Sequence, residues 1–282
     1  MLNKKFRKTL LTAFTVSALV LGACGGNKTE TGKKEQSGWD KIEERGKIIA
    51  GTSGTLYPTS YHEEGSDDLT GYEVEVLKEA SKRLDLEIEF VEMGFDGLLT
   101  SLNSGKIDVA ANDIEVTEER EKKVSFSDPY KYSYGTAIVR KDDLSGIKTL
   151  EDLKGKKSAG AATSIYMQIS LEYGAEDVVY DNATNEQYLR DVATGRTDVI
   201  LNDYYLQTLA LAAFPELNIT IHPDIKYHPN VQAMAVKKGN DTLLEKLNGV
   251  LKDMQEDGTI TKLSKQFYNG ADVSVKQDFD IK

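Results

Sequence analysis

Cysteine is almost missing from this 282-residue chain: Cys24 is its one copy. That excludes an internal disulfide framework, a cysteine-rich zinc site and a thiol nucleophile elsewhere in the chain. Histidine is scarce as well. His62, His222 and His228 lack the helical spacing of a zinc site. Positive charge is in deficit, with 35 Lys and Arg against 46 Asp and Glu and a net charge of −11. Such a balance argues against nucleic acid or an anionic lipid surface as a partner. No G-x-S-x-G element occurs. The loop Gly51-Thr52-Ser53-Gly54 has neither the Lys-Ser/Thr of a phosphate cradle nor G-x-G-x-x-G spacing. No catalytic residue, metal site or cofactor is therefore expected.

Long apolar runs are also lacking, apart from Leu10–Leu21, which is too short for a stop-transfer helix. Lys4, Lys5, Arg7 and Lys8 precede that run, and Leu21-Gly22-Ala23-Cys24 follows it. A basic start, an apolar middle and small residues before a cysteine resemble a bacterial lipoprotein signal. The expectation is a signal peptide over 1–23 and lipidation of Cys24. Residues 24–45 then form a flexible linker, polar and glycine-containing from Gly25 to Gly38. Two or more acyl chains hold a protein stably at a membrane, which places the domain on the outer face of the cell membrane. The alternative is an ordinary secretory signal with a chance cysteine.

The remaining pattern alternates strands with helices. Ile48–Ala50 reads as a short strand, and Val74, Val76, Leu77, Ala80 and Leu84 recur at helical spacing. Leu86–Val91 alternates as a strand, and Phe95–Ser104 reads as a helix stopped by Gly105. Ile107–Ala111 is a buried strand, and a short helix opens at Thr117. Asp241 is placed to cap a helix carrying Leu243, Leu247 and Leu251. From Ala271 the tail is polar and expected to be loose. Such alternation implies α/β architecture with a largely parallel sheet, whose ligands sit beyond the carboxyl ends of the strands.

An internal echo divides the chain. Residues 98–113 read LLTSLNSGKIDVAAND, and residues 188–203 read YLRDVATGRTDVILND. Both give a helix, a glycine stop, an aspartate, a buried triplet and Asn-Asp. Two related lobes follow. The first is expected over 46–135 with a return segment over 233–270, the second over 136–232, and the polar tail over 271–282. Two crossings, near 136 and 233, make a hinge, and the two Asn-Asp ends face each other across a cleft.

Several motifs in order carry a family resemblance: GTSGTLYP, LTGYEVEVL, FDGLLTSLNSGKIDV, TEER, FSDPY, LEDLKGKK, YDNAT, GRTDVILND and DGTITKLSKQFY. From about Gly46 to Tyr268 the chain resembles the polar amino-acid-binding proteins of ABC importers, which share the two-lobe type II periplasmic-binding fold. The resemblance implies that Arg120, following Thr117, pairs with a ligand α-carboxylate through its planar fork. It implies that Asp203 receives the α-ammonium. Thr163 and Ser164 match the loop that also contacts the carboxylate, and Phe95 matches an aromatic that lines the pocket. Tyr57 and Tyr61 are further candidates from the first-lobe loop. Glu115 and Asp113 depart from the neutral residues usual there. Facing the cleft, they suit a ligand with a second ammonium, and the closest likeness is to cystine binders. The implied partners are a small amino acid and a membrane permease, with the protein acting as a monomer. Two rivals stand beside this reading. One is a cyclic-acid dehydratase on the same fold with Glu115 as its acid, and the other is a sensing or adhesion lipoprotein.

Overall fold

The computed structural model describes residues 38–180, 182–279 and 281. The expected signal peptide and Cys24 lie outside the described residues. The end of the expected linker needs correction, because Gly38–Arg45 is a helix. Trp39 and Ile42 are buried in the core, and the Lys246 ammonium sits 4.8 Å from the Trp39 ring centroid. Two apolar residues three apart occupy a single helical turn. That is too little periodicity to separate a packed helix from a polar tether in sequence.

The first lobe is built on a five-stranded sheet. Strand Lys47–Thr52 lies between Glu87–Glu92 and Val109–Ala110, parallel to both. Ala235–Lys237 then runs antiparallel to Val109–Ala110 and to Val124–Phe126. The expected parallel sheet is thus mixed, because its return strand arrives from the other lobe. Side chains alternate along the strands. Ile48 and Ala50 pack with helices Tyr72–Arg83, Asp241–Glu256 and Thr259–Phe267. Ala110 and Ala235 pack with helix Phe95–Ser104 through Leu98 and Leu102. Asp241 is the first residue of its helix rather than its cap. Asn240 takes the cap position, without a side-chain cap bond.

The second lobe centres on an antiparallel sheet, with Lys131–Arg140 between Ile200–Asp203 and Ile219–Gln232. A parallel pair, Lys157–Gly160 with Glu176–Val179, joins it through a bridge between Ser158 and Val199. Period two again sorts the core. Ala137, Val139, Val199 and Leu201 face one cluster, and Ile138 and Ile200 face the other. Gly135 has no room for a side chain, since a Cβ there would stand 2.6 Å from the Tyr227 ring. Lys131–Arg140 and Ile219–Gln232 pair from Arg140 opposite Ile219 down to Lys131 opposite Gln232, with register shifts between Ile221 and Lys226 and between Tyr227 and Pro229. This two-stranded ribbon is the connection between the sheets.

The echo in sequence is also an echo in hydrogen bonds. Gly105 and Gly195 both take left-handed backbone, at φ 76 and 75. Asp108 N donates to Ile49 O and accepts from Ile49 N through its carboxylate, each at 2.8 Å. Asp198 N likewise donates to Lys157 O at 2.8 Å, and its carboxylate accepts from Lys157 N at 3.0 Å. In each lobe one aspartate pins the start of the neighbouring parallel strand.

The tail also needs correction in part, because Val273 and Ser274 are buried while 275–278 are exposed. Val273 is fully buried, with its N–H on Ser264 Oγ at 2.7 Å and its carbonyl on Tyr132 N at 2.8 Å. Phe279 packs against Tyr134 at 4.8 Å between ring centroids. One valine and one phenylalanine among polar residues anchor the segment, with no periodicity to announce it. Among the described residues, no helix is long and apolar enough to cross a membrane.

Candidate functional site

A cavity of about 140 Å³ lies where the carboxyl ends of the two lobes' strands meet. Its first-lobe wall includes Phe95, Asn112, Asp113, Glu115 and Arg120. Its second-lobe wall includes Ser164, Tyr166, Asn202 and Gln207. The lobes touch at its edges. Asp96 accepts from Thr163 N at 2.8 Å, Thr163 Oγ1 at 2.6 Å and Ala162 N at 3.3 Å. Asn185 Nδ2 donates to Tyr57 O at 3.1 Å, and Thr55 Oγ1 donates to Asn182 Oδ1 at 3.1 Å.

Arg120 owes its place to a short helix, Glu118–Glu121, capped by Thr117, whose side chain accepts from Arg120 N at 3.2 Å. The guanidinium donates to the Glu115 carbonyl at 2.9 Å and to the Thr163 carbonyl at 3.1 Å. It stands 5.7 Å from the centre of the Phe95 ring, within cation–π range. Burial lowers its pKa, with Glu115 opposing the shift. A guanidinium titrates so far above neutrality that it stays charged.

Glu115 is buried, and one of its carboxylate oxygens meets His228 Nε2. Its other oxygen, Oε2, is buried without a hydrogen-bond partner among the described residues. The hydrogen bond to Glu115 raises the His228 pKa above its ordinary value, against the effect of burial.

Asp113 and Asp203, the last residues of the two echoes, meet on one lysine. Lys131 Nζ lies 2.6 Å from Asp113 Oδ1 and 3.0 Å from Asp203 Oδ2, with both Lys131 and Asp203 side chains fully buried. Burial alone would lower the lysine's pKa, but the two carboxylates outweigh it and raise it. Asp113 lines the cavity, whereas Asp203 is outside the lining. Asp203 instead caps helix Tyr204–Ala213, accepting from Leu206 N at 2.9 Å. Its neighbour Asn202 is on the lining.

Behind Asp113 sits a further carboxylate. Glu73 accepts from Asp113 N at 2.8 Å and from the Tyr130 hydroxyl. Burial, then the Asp113 charge, pushes Glu73 up to about 7. Burial likewise lifts Asp113 to about 6, with Lys131 pulling the other way. Raised folded-state values mean the folded protein binds more protons than the unfolded chain between about pH 4 and 7. Stability from these groups is therefore full below about pH 4 and lost progressively as pH rises to about 7. Urea unfolding at pH 5 and at pH 8 should show the wild type weaker at pH 8, with Glu73 alone contributing roughly 3 kcal/mol. Glu73→Gln should flatten that slope. A wild-type slope of zero or opposite sign would sink this account.

Of the residues singled out in sequence, Phe95, Asp113, Glu115, Arg120 and Ser164 line the cavity; Thr163, Asp203, Tyr57 and Tyr61 are outside the lining. Ser164 is the cap of helix Ile165–Glu172, accepting from Met167 N at 3.0 Å, and Thr163 is taken up by Asp96. Tyr57 and Tyr61 pack edge to face at 4.9 Å, while Leu56 lines the cavity. Sequence reasoning passed over Lys131, Tyr166 and Gln207, weighed His228 only as a zinc ligand, and placed Asn202 at the cleft only as part of the Asn-Asp end. For Lys131 a signal existed, as a lone cation inside the aromatic run Tyr130-Lys131-Tyr132-Ser133-Tyr134. Among the described residues, no group of three or more His, Cys, Asp or Glu side chains is placed to hold a metal ion.

Comparison with known proteins gives a consistent picture. The model of the bacterial extracellular solute-binding proteins, family 3, matches residues 48–270. The probable ABC transporter extracellular-binding protein YckB of Bacillus subtilis is 66% identical, over 97% of this chain and 96% of its own. The L-cystine-binding protein TcyA of the same organism is 36% identical, over 95% of this chain and 99% of its own. A crystal structure of YckB from Bacillus subtilis superposes with a TM-score of 0.70 at 70% identity, covering 86% of this chain and 98% of the other.

Proposed function

Since the chain belongs to the bacterial extracellular solute-binding proteins, family 3, we propose that it captures one amino acid, best matched by L-cystine, and delivers it to an ABC permease. The observation that carries this reading is the charge layout of the cavity. Arg120 offers a planar fork for a carboxylate, and Glu115 offers a buried carboxylate oxygen with no partner among the described residues. A zwitterion satisfies both at once, and water is displaced from both as the lobes close. No bond is made or broken in this cycle. Cystine is favoured because TcyA, a relative spanning nearly the whole chain, is an L-cystine-binding protein, and because Glu115 brings a carboxylate oxygen without a partner among the described residues to the first-lobe wall. The protein works outside the cell, held at the membrane face by lipid on Cys24.

A thermal-shift screen of the mature domain against the twenty amino acids and cystine tests this. A ligand present at 100 times its Kd should stabilise the folded state by about 2.7 kcal/mol. Cystine should give the largest rise in melting temperature. Silence toward every amino acid would end the proposal, and a larger rise with arginine or glutamine would replace cystine alone.

A further inference from the structure

The resemblance in sequence assigns the ligand's ammonium to Asp203, and the geometry points elsewhere. We propose that Glu115, rather than Asp203, receives the α-ammonium, and that Lys131 is a built-in cation that takes Asp203 out of the site. This rests on the amino-acid reading and deepens it.

Three observations converge. Asp203 is fully buried and outside the cavity lining: Oδ1 caps a helix, and Oδ2, which has no hydrogen-bond partner among the described residues, is ion-paired with Lys131 at 3.0 Å. Lys131 has no route to solvent, since it is fully buried as the first residue of the inter-lobe ribbon. A ligand ammonium on Asp203 would therefore stand beside a second buried ammonium, and like charges at such range repel strongly where water is excluded. Glu115 has the opposite situation. It lines the cavity, only 3% of it is exposed, and Oε2 lacks a hydrogen-bond partner among the described residues. A buried acceptor left unpaired is costly, and a charged one more so. An ammonium brings three donors to such a group. Of the other lining residues, Gln207 also carries a buried acceptor, Oε1, without a partner among the described residues.

The loop geometry supports the same assignment. Arg120 anchors its fork on the Glu115 carbonyl at 2.9 Å. Positive and negative recognition groups for one α-amino-acid head thus belong to a single first-lobe loop. The second lobe then closes over the head through its backbone carbonyl at Thr163, on which Arg120 also donates. Glu115 Oε1 is occupied by His228, which orients the carboxylate and leaves Oε2 for the ligand.

Two isosteric variants separate the alternatives by isothermal titration. The probe is L-cystine or, should cystine be silent, the amino acid that most raises the wild-type melting temperature. Glu115→Gln should weaken binding about thirtyfold or more, as expected when one partner of a buried charge pair is removed. Asp203→Asn should stay within about threefold of wild type, because asparagine also caps a helix well and Lys131 keeps Asp113. Thermal unfolding of each unliganded variant checks that it is folded. A larger loss in Asp203→Asn than in Glu115→Gln, with both folded, overturns the assignment and leaves amino-acid binding intact. A wild type that binds no amino acid takes down both readings together.

Discussion

Lys131→Met should cost the folded protein about 3–5 kcal/mol at pH 7, the range for leaving a buried charge without its partner. The lysine is fully buried and serves two carboxylates, one from each lobe. Methionine fills much the same volume, so the loss would report charge rather than packing. The pH dependence identifies the cause. Without the lysine, Asp113 loses the neighbour that holds its pKa down against burial. Its contribution is then harmless in acid and destabilising as pH rises, so the deficit of the variant should shrink between pH 7 and pH 5. Adding Asp113→Asn and Asp203→Asn should recover most of the loss, since a buried ion cluster replaced as a whole is often neutral in stability. Urea unfolding across that pH range decides it. A lysine variant as stable as wild type at pH 7 would mean that the three charges do not form one buried unit.

Arg120→Ala should cost about 2–5 kcal/mol of ligand affinity, thirtyfold to several thousandfold in Kd, the range for truncating one side of a buried charged hydrogen bond. Among the described residues, the arginine's side chain donates to two backbone carbonyls, Glu115 O and Thr163 O. Stability should therefore fall much less than affinity. Arg120→Lys should not rescue binding, because a single ammonium cannot match a carboxylate with two parallel donors. Equilibrium titration with the same probe as above gives the answer. Affinity restored by lysine would show that charge alone is recognised and would remove the bidentate reading.

How far the residues spoke for themselves varies along the chain. Phe95–Ser104 was legible to its ends, because Leu98 and Leu102 share a face and Gly105 alone takes the left-handed turn without strain. The echo was legible because Gly, Asp and Asn-Asp each hold a backbone position that few other residues satisfy. Arg120 was legible through its motif. The helix at Gly38–Arg45 and the packed tail were not. Each depends on one or two apolar side chains that pack with residues remote in sequence: Trp39 and Ile42 share a cluster with Leu243 and Leu247, Val273 shares it with Ile260 and Tyr268, and Phe279 lies against Tyr134. The division of labour between Thr163 and Ser164 was also hidden, since either residue can cap and only the position of Asp96 assigns the other role.

The sequence by itself determined the α/β character, the paired lobes, the acidic balance and the arginine poised at the head of a short helix. These follow from local periodicity, turn chemistry and a repeated motif, all properties of neighbouring residues. Only the tertiary structure decided which carboxylates are available to a ligand. Asp113, Asp203 and Glu115 look alike in one dimension. Folding sets Lys131 between the first two and His228 against one oxygen of the third. Whether a buried charge is free or already answered depends on groups brought together from three separate stretches of chain, and the electrostatic cost of burial makes that difference large.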